Sequence, residues 1–159
     1  MRADLDEIFR REYPTVVGVA ARVLGSRHQA EDVAQEVFLS FGRSTVPASE
    51  ARGWLCVAAA HTALNHIRSG KRRSSREERD ATRSARAVAD VADAVVIGEE
   101  RSRVRAALAR LPKKQAVALV LRHNGLSYAE VAAALGLAPG SVGTTVRRAE
   151  AALRKELGA

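Results

Sequence analysis

The sequence predicts an all-α protein built as two small helical domains joined by a flexible linker, with a helix-turn-helix in the C-terminal domain. Three observations predict it. Hydrophobic residues make up 47% of the 159 residues but aromatic ones only 4%, and the apolar positions recur at the three- and four-residue spacing of helices. Ser26 and Ser127 each stand three residues before Gln29 or Glu130, the spacing of a capping box that opens a helix. Between them the chain from Ser69 to about Arg86 is almost free of apolar side chains, and such a stretch buries too little to offset the entropy of ordering. The length suits one ordinary domain or two small ones; a lobe of roughly 60 residues buries only about 60% of its unfolded surface, so each would be marginal alone.

Leu5, Ile8, Phe9, Tyr13, Val16, Val17, Ala20, Val23 and Leu24 place one amphipathic helix over residues 4–24, with Pro14 as a point of kinking or division and Gly25 as its end. Ser26 opens a second helix from Arg27 to about Phe41, whose apolar face is Ala30, Val33, Ala34, Val37, Phe38 and Phe41. Gly, Ser, Thr and Pro between Gly42 and Ser49 predict a loop. A third helix follows from about Glu50 to Ser69, carrying Trp54, Leu55, Ala58, Ala59, Leu64 and Ile67. These elements form a first domain over residues 1–69, and residues 70–98 form the linker. Within the linker, Val88, Val91, Ala92 and Val95 add a short amphipathic stretch ending near Gly98.

Residues 99–159 form the second domain. Val104, Ala107, Leu108 and Leu111 define a helix stopped by Pro112, which itself starts the next one, running through Val117 and Val120 to His123 and closed by Asn124-Gly125. Ser127 opens a short helix through Val131 to Leu135, and Gly136 terminates it. Leu137-Ala138 makes the turn, Pro139 pre-sets the backbone at a first helical position, and Val142, Val146, Ala149 and Leu153 mark the inner face of the last helix.

A short helix, a glycine, a tight turn and a longer basic helix make the helix-turn-helix pattern, in which the second helix lies in the major groove with its first residues at base edges. With Val142 and Val146 buried, the outward positions are Ser141, Thr144, Thr145 and Arg148, flanked by Arg147. Hydroxyls at the tip suit base reading, and arginines one turn later suit phosphate anchoring.

The net charge of +8 is unevenly placed. Residues 1–68 hold 8 basic and 8 acidic side chains, residues 69–98 hold 7 and 5, and residues 99–159 hold 11 and 5. The acids gather at Asp4 to Glu12 and Glu31 to Glu36, which predicts one surface for a basic partner and another, in the C-terminal domain, for a polyanion. No apolar run reaches the roughly 18 residues of a membrane span. The start, Met1-Arg2-Ala3-Asp4, is unlike a secretory leader, so no membrane insertion and a cytoplasmic location are expected. Cys56 is the single cysteine and reads as a small buried hydrophobe; Trp54 reads as core. His61 and His66 are five apart and share no helix face, so no metal site is expected, nor any cofactor. No nucleophile-base pair or phosphate-cradling loop is present to suggest an enzyme.

The run Glu31-Asp32-Val33-Ala34-Gln35-Glu36-Val37-Phe38, then Trp54-Leu55, Ala63-Leu64-Asn65-His66-Ile67-Arg68, and Leu126-Ser127-Tyr128-Ala129-Glu130-Val131-Ala132 with its helix-turn-helix, resembles the extracytoplasmic-function (ECF) sigma factors. These are minimal members of the bacterial sigma-70 family, with only region two and region four. The resemblance covers about residues 5–69 and 99–157. It implies an alternative sigma factor that binds core RNA polymerase and directs initiation by recognising the minus-ten and minus-thirty-five elements of promoter DNA. By that resemblance Asp32, Gln35, Glu36, Phe38 and Leu39 dock on the polymerase. Asn65, Arg68, Lys71, Arg72 and Arg73, with the loop from Gly42 to Arg52, hold the minus-ten element as a single strand. Ser141, Thr144, Thr145, Arg147 and Arg148 read the minus-thirty-five duplex, and an anti-sigma factor is the implied inhibitor.

The chain departs from the family's usual residues at four positions. It has His61 where Asn is frequent, Asn65 where Asp is frequent, and Gly143 and Thr145 where Lys and Arg are frequent. Loss of two cations from the last helix predicts weaker minus-thirty-five binding and more reliance on Arg147 and Arg148. A stand-alone helix-turn-helix regulator is the alternative and predicts tight duplex binding without polymerase. A helical adaptor with merely solvated arginines predicts affinity for neither.

Overall fold

The computed structural model describes residues 1–69 and 91–158, with the side chains of residues 91–97 outside the description. Among the described residues all regular structure is helical. Helix α1, Leu5–Leu24, is continuous through Pro14. An interior proline removes one backbone hydrogen bond and costs about 3 kcal/mol in an isolated helix. Here Ile8, Val16, Val19, Ala20 and Val23 are buried on both sides of Pro14 against the following helices, and that packing outweighs the local penalty. Gly25 ends α1 in the left-handed region at φ 71°, with its amide donating to the Ala21 carbonyl.

The Ser26 hydroxyl accepts from the Gln29 amide at 3.2 Å and opens α2, Arg27–Gly42. The connection is so short that α2 must run back along α1. The Arg2 amide accordingly donates to the Gly42 carbonyl at 3.0 Å, joining the start of one helix to the end of the other. After a loop and a single 3-10 turn, Ala48–Glu50, helix α3 spans Ala51–Ser69 and packs on both. Leu55, Ala59, Ala60, Ala63 and Leu64 fill the space between the three helices.

Helix α4 spans Val91–Arg110. The helical break expected near Gly98 is absent: α4 passes through it, a glycine in a helix interior costing only about 1 kcal/mol. Pro112 is the residue before α5, Lys113–His123, rather than its first, with ψ 136°. Six consecutive residues of α5, from Ala116 to Leu121, are buried, so this helix is the axis on which α4, α6 and α7 are hung. Ser127 makes the complete capping box expected: its hydroxyl accepts from the Glu130 amide at 3.1 Å, and Glu130 Oε1 accepts from the Ser127 amide at 2.9 Å. Helix α6, Tyr128–Leu135, ends at Gly136 with φ 66°, and α7 spans Pro139–Glu156. Val131, Ala132, Val142, Val146 and Ala149 are buried between these last helices and α5.

The N-terminal and C-terminal helices share one continuous apolar core. Helix α3 lies against α5 and α6, where a Cβ added to Gly53 would come within 3.0 Å of Ala134 Cβ. Beside that contact, Arg52 stands between Glu12 of α1 at 3.6 Å and Glu130 of α6 at 3.9 Å. Glu12 is buried, and a second guanidinium, Arg11, lies 3.1 Å from it, which offsets the cost of removing the carboxylate from water.

Candidate nucleic-acid interface

Helix α2 presents Asp32, Gln35, Glu36 and Leu39 to solvent, the first three on one face. Glu31, by contrast, is paired with Arg27 at 3.1 Å, and Asp32 lies 3.9 Å from His28. Leu39 is 52% exposed. It borders an open groove of about 470 Å³ between α1 and α2, walled by Leu5, Phe9, Gln35 and Phe38. Phe38 departs from the expected surface role. It is 3% exposed and packs edge-on against Phe9 at 4.9 Å, so it forms the groove floor rather than a protruding contact.

Asn65 and Arg68 both lie on the last turns of α3 and both meet the C-terminal helices. Lys113 Nζ donates to Asn65 Oδ1 at 2.9 Å. Arg68 donates to the carbonyls of Ala109 at 3.1 Å and Leu111 at 3.0 Å, satisfying acceptors that the end of α4 leaves open. Lys71, Arg72 and Arg73 lie outside the described residues. Trp54 is half-buried with its ring 5.6 Å from that of Phe41, and Cys56 is fully buried, which pushes its thiol up to about 12. Both take the structural roles read from the sequence.

His61 has a lowered pKa, chiefly because burial disfavours the imidazolium and secondly because Lys113 is near. The folded chain therefore binds fewer protons at this site than the unfolded one. The associated stability is present above the ordinary value of 6.5 and is lost as pH falls through 6.5 toward the folded value. Replacing His61 with Asn is expected to flatten that part of the curve of unfolding free energy against pH, measured by urea denaturation.

At the other end of the molecule α7 exposes Ser141, Arg147 and Arg148, with Thr144 and Thr145 half-buried. The Thr145 hydroxyl donates back to the Ser141 carbonyl at 2.8 Å, leaving only its acceptor lone pairs for a base. The Arg147 guanidinium folds back so that a Cβ at Gly143 would stand 3.3 Å from its Nη1. A cation from the next turn thus lies over the position where the family often carries one. Arg122 lies 4.4 Å over the exposed Tyr128 ring and donates to the Leu126 carbonyl at 2.6 Å, bracing the entry to α6. Sequence reading missed Lys113, whose bond to Asn65 spans 48 residues, and Arg122, whose partners Leu126 and Tyr128 follow closely in the chain, because a lone cation carries no signature of the partner it meets.

An acidic helix face beside an apolar groove, joined through α3 to a helix-turn-helix with a basic second helix, is the arrangement expected of a sigma-70-type factor. Residues 8–73 match sigma-70 region 2 and residues 101–153 match sigma-70 region 4. The chain is 33% identical over 149 residues to the ECF RNA polymerase sigma factor SigK of Mycolicibacterium vanbaalenii, covering 90% of this chain and 76% of that one. It is 31% identical to SigK of Mycobacterium ulcerans, covering 91% and 80%. The sigma factor RpoE of Bartonella quintana, solved in complex with the anti-sigma factor NepR, shares the fold with a TM-score of 0.51 at 21% identity over 99% of each chain. The chain belongs to the extracytoplasmic-function family of sigma factors, and its activity is to direct RNA polymerase in promoter recognition. None of the helices among the described residues is long and apolar enough to cross a membrane.

Proposed function

We propose that this alternative sigma factor divides its work among three surfaces. The α2 face of Asp32, Gln35, Glu36 and Leu39, with Phe38 lining the adjacent groove, binds a basic and apolar surface of core RNA polymerase. The loop from Gly42 to Arg52 and the end of α3, with Asn65 and Arg68, hold the minus-ten element as a single strand. Lys71, Arg72 and Arg73 join that surface from beyond the described residues. Ser141, Thr144, Thr145, Arg147 and Arg148 read the minus-thirty-five duplex, phosphates gripped by the arginines and base edges met at the tip. The division follows residues 1–69, 70–98 and 99–159, with α4 beginning inside the middle segment.

The observation that carries this reading is the separation of signs: exposed acids beside an exposed leucine on α2, exposed arginines on α7. Asn65 and Arg68 are exposed and bonded to Lys113, Ala109 and Leu111, so engaging a strand exchanges those hydrogen bonds for contacts with it. The chain performs no chemistry itself and needs no cofactor or metal; capturing an unstacked base shifts the equilibrium toward melted DNA. It works in the cytoplasm, and an anti-sigma factor, the kind of partner present with its Bartonella relative, holds it inactive.

Run-off transcription with purified core enzyme and a genomic fragment library tests the reading. New start sites are expected when the chain is added, and unchanged start-site choice would refute it. Within that assay Arg148→Ala is expected to impair use of the upstream element and to lower the slope of log affinity against log salt by about 0.9. A slope equal to that of the unaltered chain would remove Arg148 from the phosphate contacts.

A further inference from the structure

The loop between α2 and α3 carries Arg43, Thr45, Pro47, Ala48 and Ser49 exposed, yet its own hydrogen bonds are local. Ser44 Oγ donates to the Phe41 carbonyl at 2.7 Å and accepts from the Val46 amide at 3.4 Å, and the Glu50 amide donates to the Pro47 carbonyl at 2.9 Å. Turns of this kind fix a shape within the loop but not its place on the helices. Val46 packs its side chain against the apolar core, and the polar tie comes from Arg2, whose Nη1 donates to the Val46 carbonyl at 2.6 Å across 44 residues of sequence.

Arg2 is itself held on three other sides. Its Nε and Nη2 donate to the two carboxylate oxygens of Asp4, at 2.5 and 2.9 Å. Its guanidinium lies 4.2 Å over the ring of Phe41, which is fully buried and backed by Trp54. Its amide donates to the Gly42 carbonyl. A planar fork is the one side-chain shape that spans a carboxylate, lies flat on a ring and still reaches a carbonyl; an ammonium does one of these at a time. The carboxylate neutralises the charge, so Arg2 is poorly suited to attract phosphates.

We infer that Arg2 is a positioning residue for promoter specificity, locking the loop of residues 43–50 in the orientation that presents its exposed side chains to the melted strand. The inference rests on the proposed reading of this loop as part of the minus-ten surface. Arg2 also borders the groove between α1 and α2. The quantity to read is therefore base preference, not occupancy.

The test is open-complex formation by holoenzyme at saturating sigma, on a promoter library randomised separately in the minus-ten and minus-thirty-five elements. Arg2→Ala is expected to reduce discrimination at the minus-ten positions about tenfold while leaving minus-thirty-five preference unchanged, a loss matching one charge-assisted hydrogen bond. Arg2→Lys should not restore it. Asp4→Asn, which keeps the guanidinium on Phe41 but weakens its orientation, should show a smaller loss in the same direction. Unaltered minus-ten discrimination in Arg2→Ala, rescue by lysine, or an equal loss in both elements would each overturn the role. If the unsubstituted holoenzyme itself shows no minus-ten preference, the assignment of the loop fails and the inference with it.

Discussion

Phe41→Ala is expected to lower the unfolding free energy by about 3–5 kcal/mol, the cost of emptying a fully enclosed aromatic site. Phe41 has no exposed surface and contacts Trp54 on one side and the Arg2 guanidinium on another. The surrounding helices cannot collapse into the space easily, because α1, α2 and α3 all meet near it and each is fixed elsewhere by its own buried face. The loss is a large share of the roughly 5–15 kcal/mol that holds an ordinary domain folded. Urea unfolding followed by circular dichroism measures it, with Leu39→Ala as a comparison. Leu39 is half exposed, and truncating it should change stability by no more than about 0.5 kcal/mol. A Phe41→Ala loss below about 1 kcal/mol would show that the ring is not the keystone of this region.

The same residue shows what was legible beforehand and what was not. Phe41 falls in the periodic series Ala30, Val33, Ala34, Val37, Phe38, Phe41, and all six are buried as that series predicts. Phe38 belongs to the same series, yet the family resemblance places it with the docking residues. The periodicity locates its ring correctly, and only its position on the groove floor keeps it available to a partner. The helix-turn-helix was legible almost residue by residue because each boundary is a local chemical event: a capping box at Ser127, a left-handed glycine at Gly136, a proline at the start of α7.

Two local penalties proved too small to end a helix, and at Pro14 burial on both sides offsets the cost. Pro14 interrupts a hydrogen bond but not α1, and Gly98 weakens but does not end α4. What no pattern announced were the bonds across long sequence separations. Arg68 reaches carbonyls 41 and 43 residues away, Lys113 reaches Asn65 across 48, and Arg2 reaches Val46 across 44. Each joins a single donor to a single acceptor, and a lone Arg, Lys or Asn in a sequence reads the same whether it meets solvent, nucleic acid or another helix.

The double substitution Asp32→Lys with Glu36→Lys is expected to weaken binding to core RNA polymerase by about 2–4 kcal/mol, roughly 30- to 1000-fold. Both carboxylates are exposed on one face of α2, four residues apart, so a basic partner surface meets them together. An exposed pair in the free chain contributes about 0–1 kcal/mol, because water screens it. Docking covers the face and removes that water, so the interaction strengthens on binding, and reversal replaces two attractions by two repulsions. The fold itself should tolerate the change, since among the described residues Asp32 meets only His28, at 3.9 Å. Unfolding free energy is therefore expected to stay within about 0.5 kcal/mol, apart from a small effect of placing cations nearer the start of a helix. Fluorescence titration against core enzyme at two salt concentrations separates the cases. The unaltered chain should bind more weakly at high salt, and the doubly reversed chain should have lost that dependence, or inverted it, while the α7 surface still binds duplex with its own salt slope. Affinity within twofold of the unaltered chain, with the salt dependence intact, would place the polymerase on some other face of the molecule and leave Leu39 and its groove without their proposed occupant.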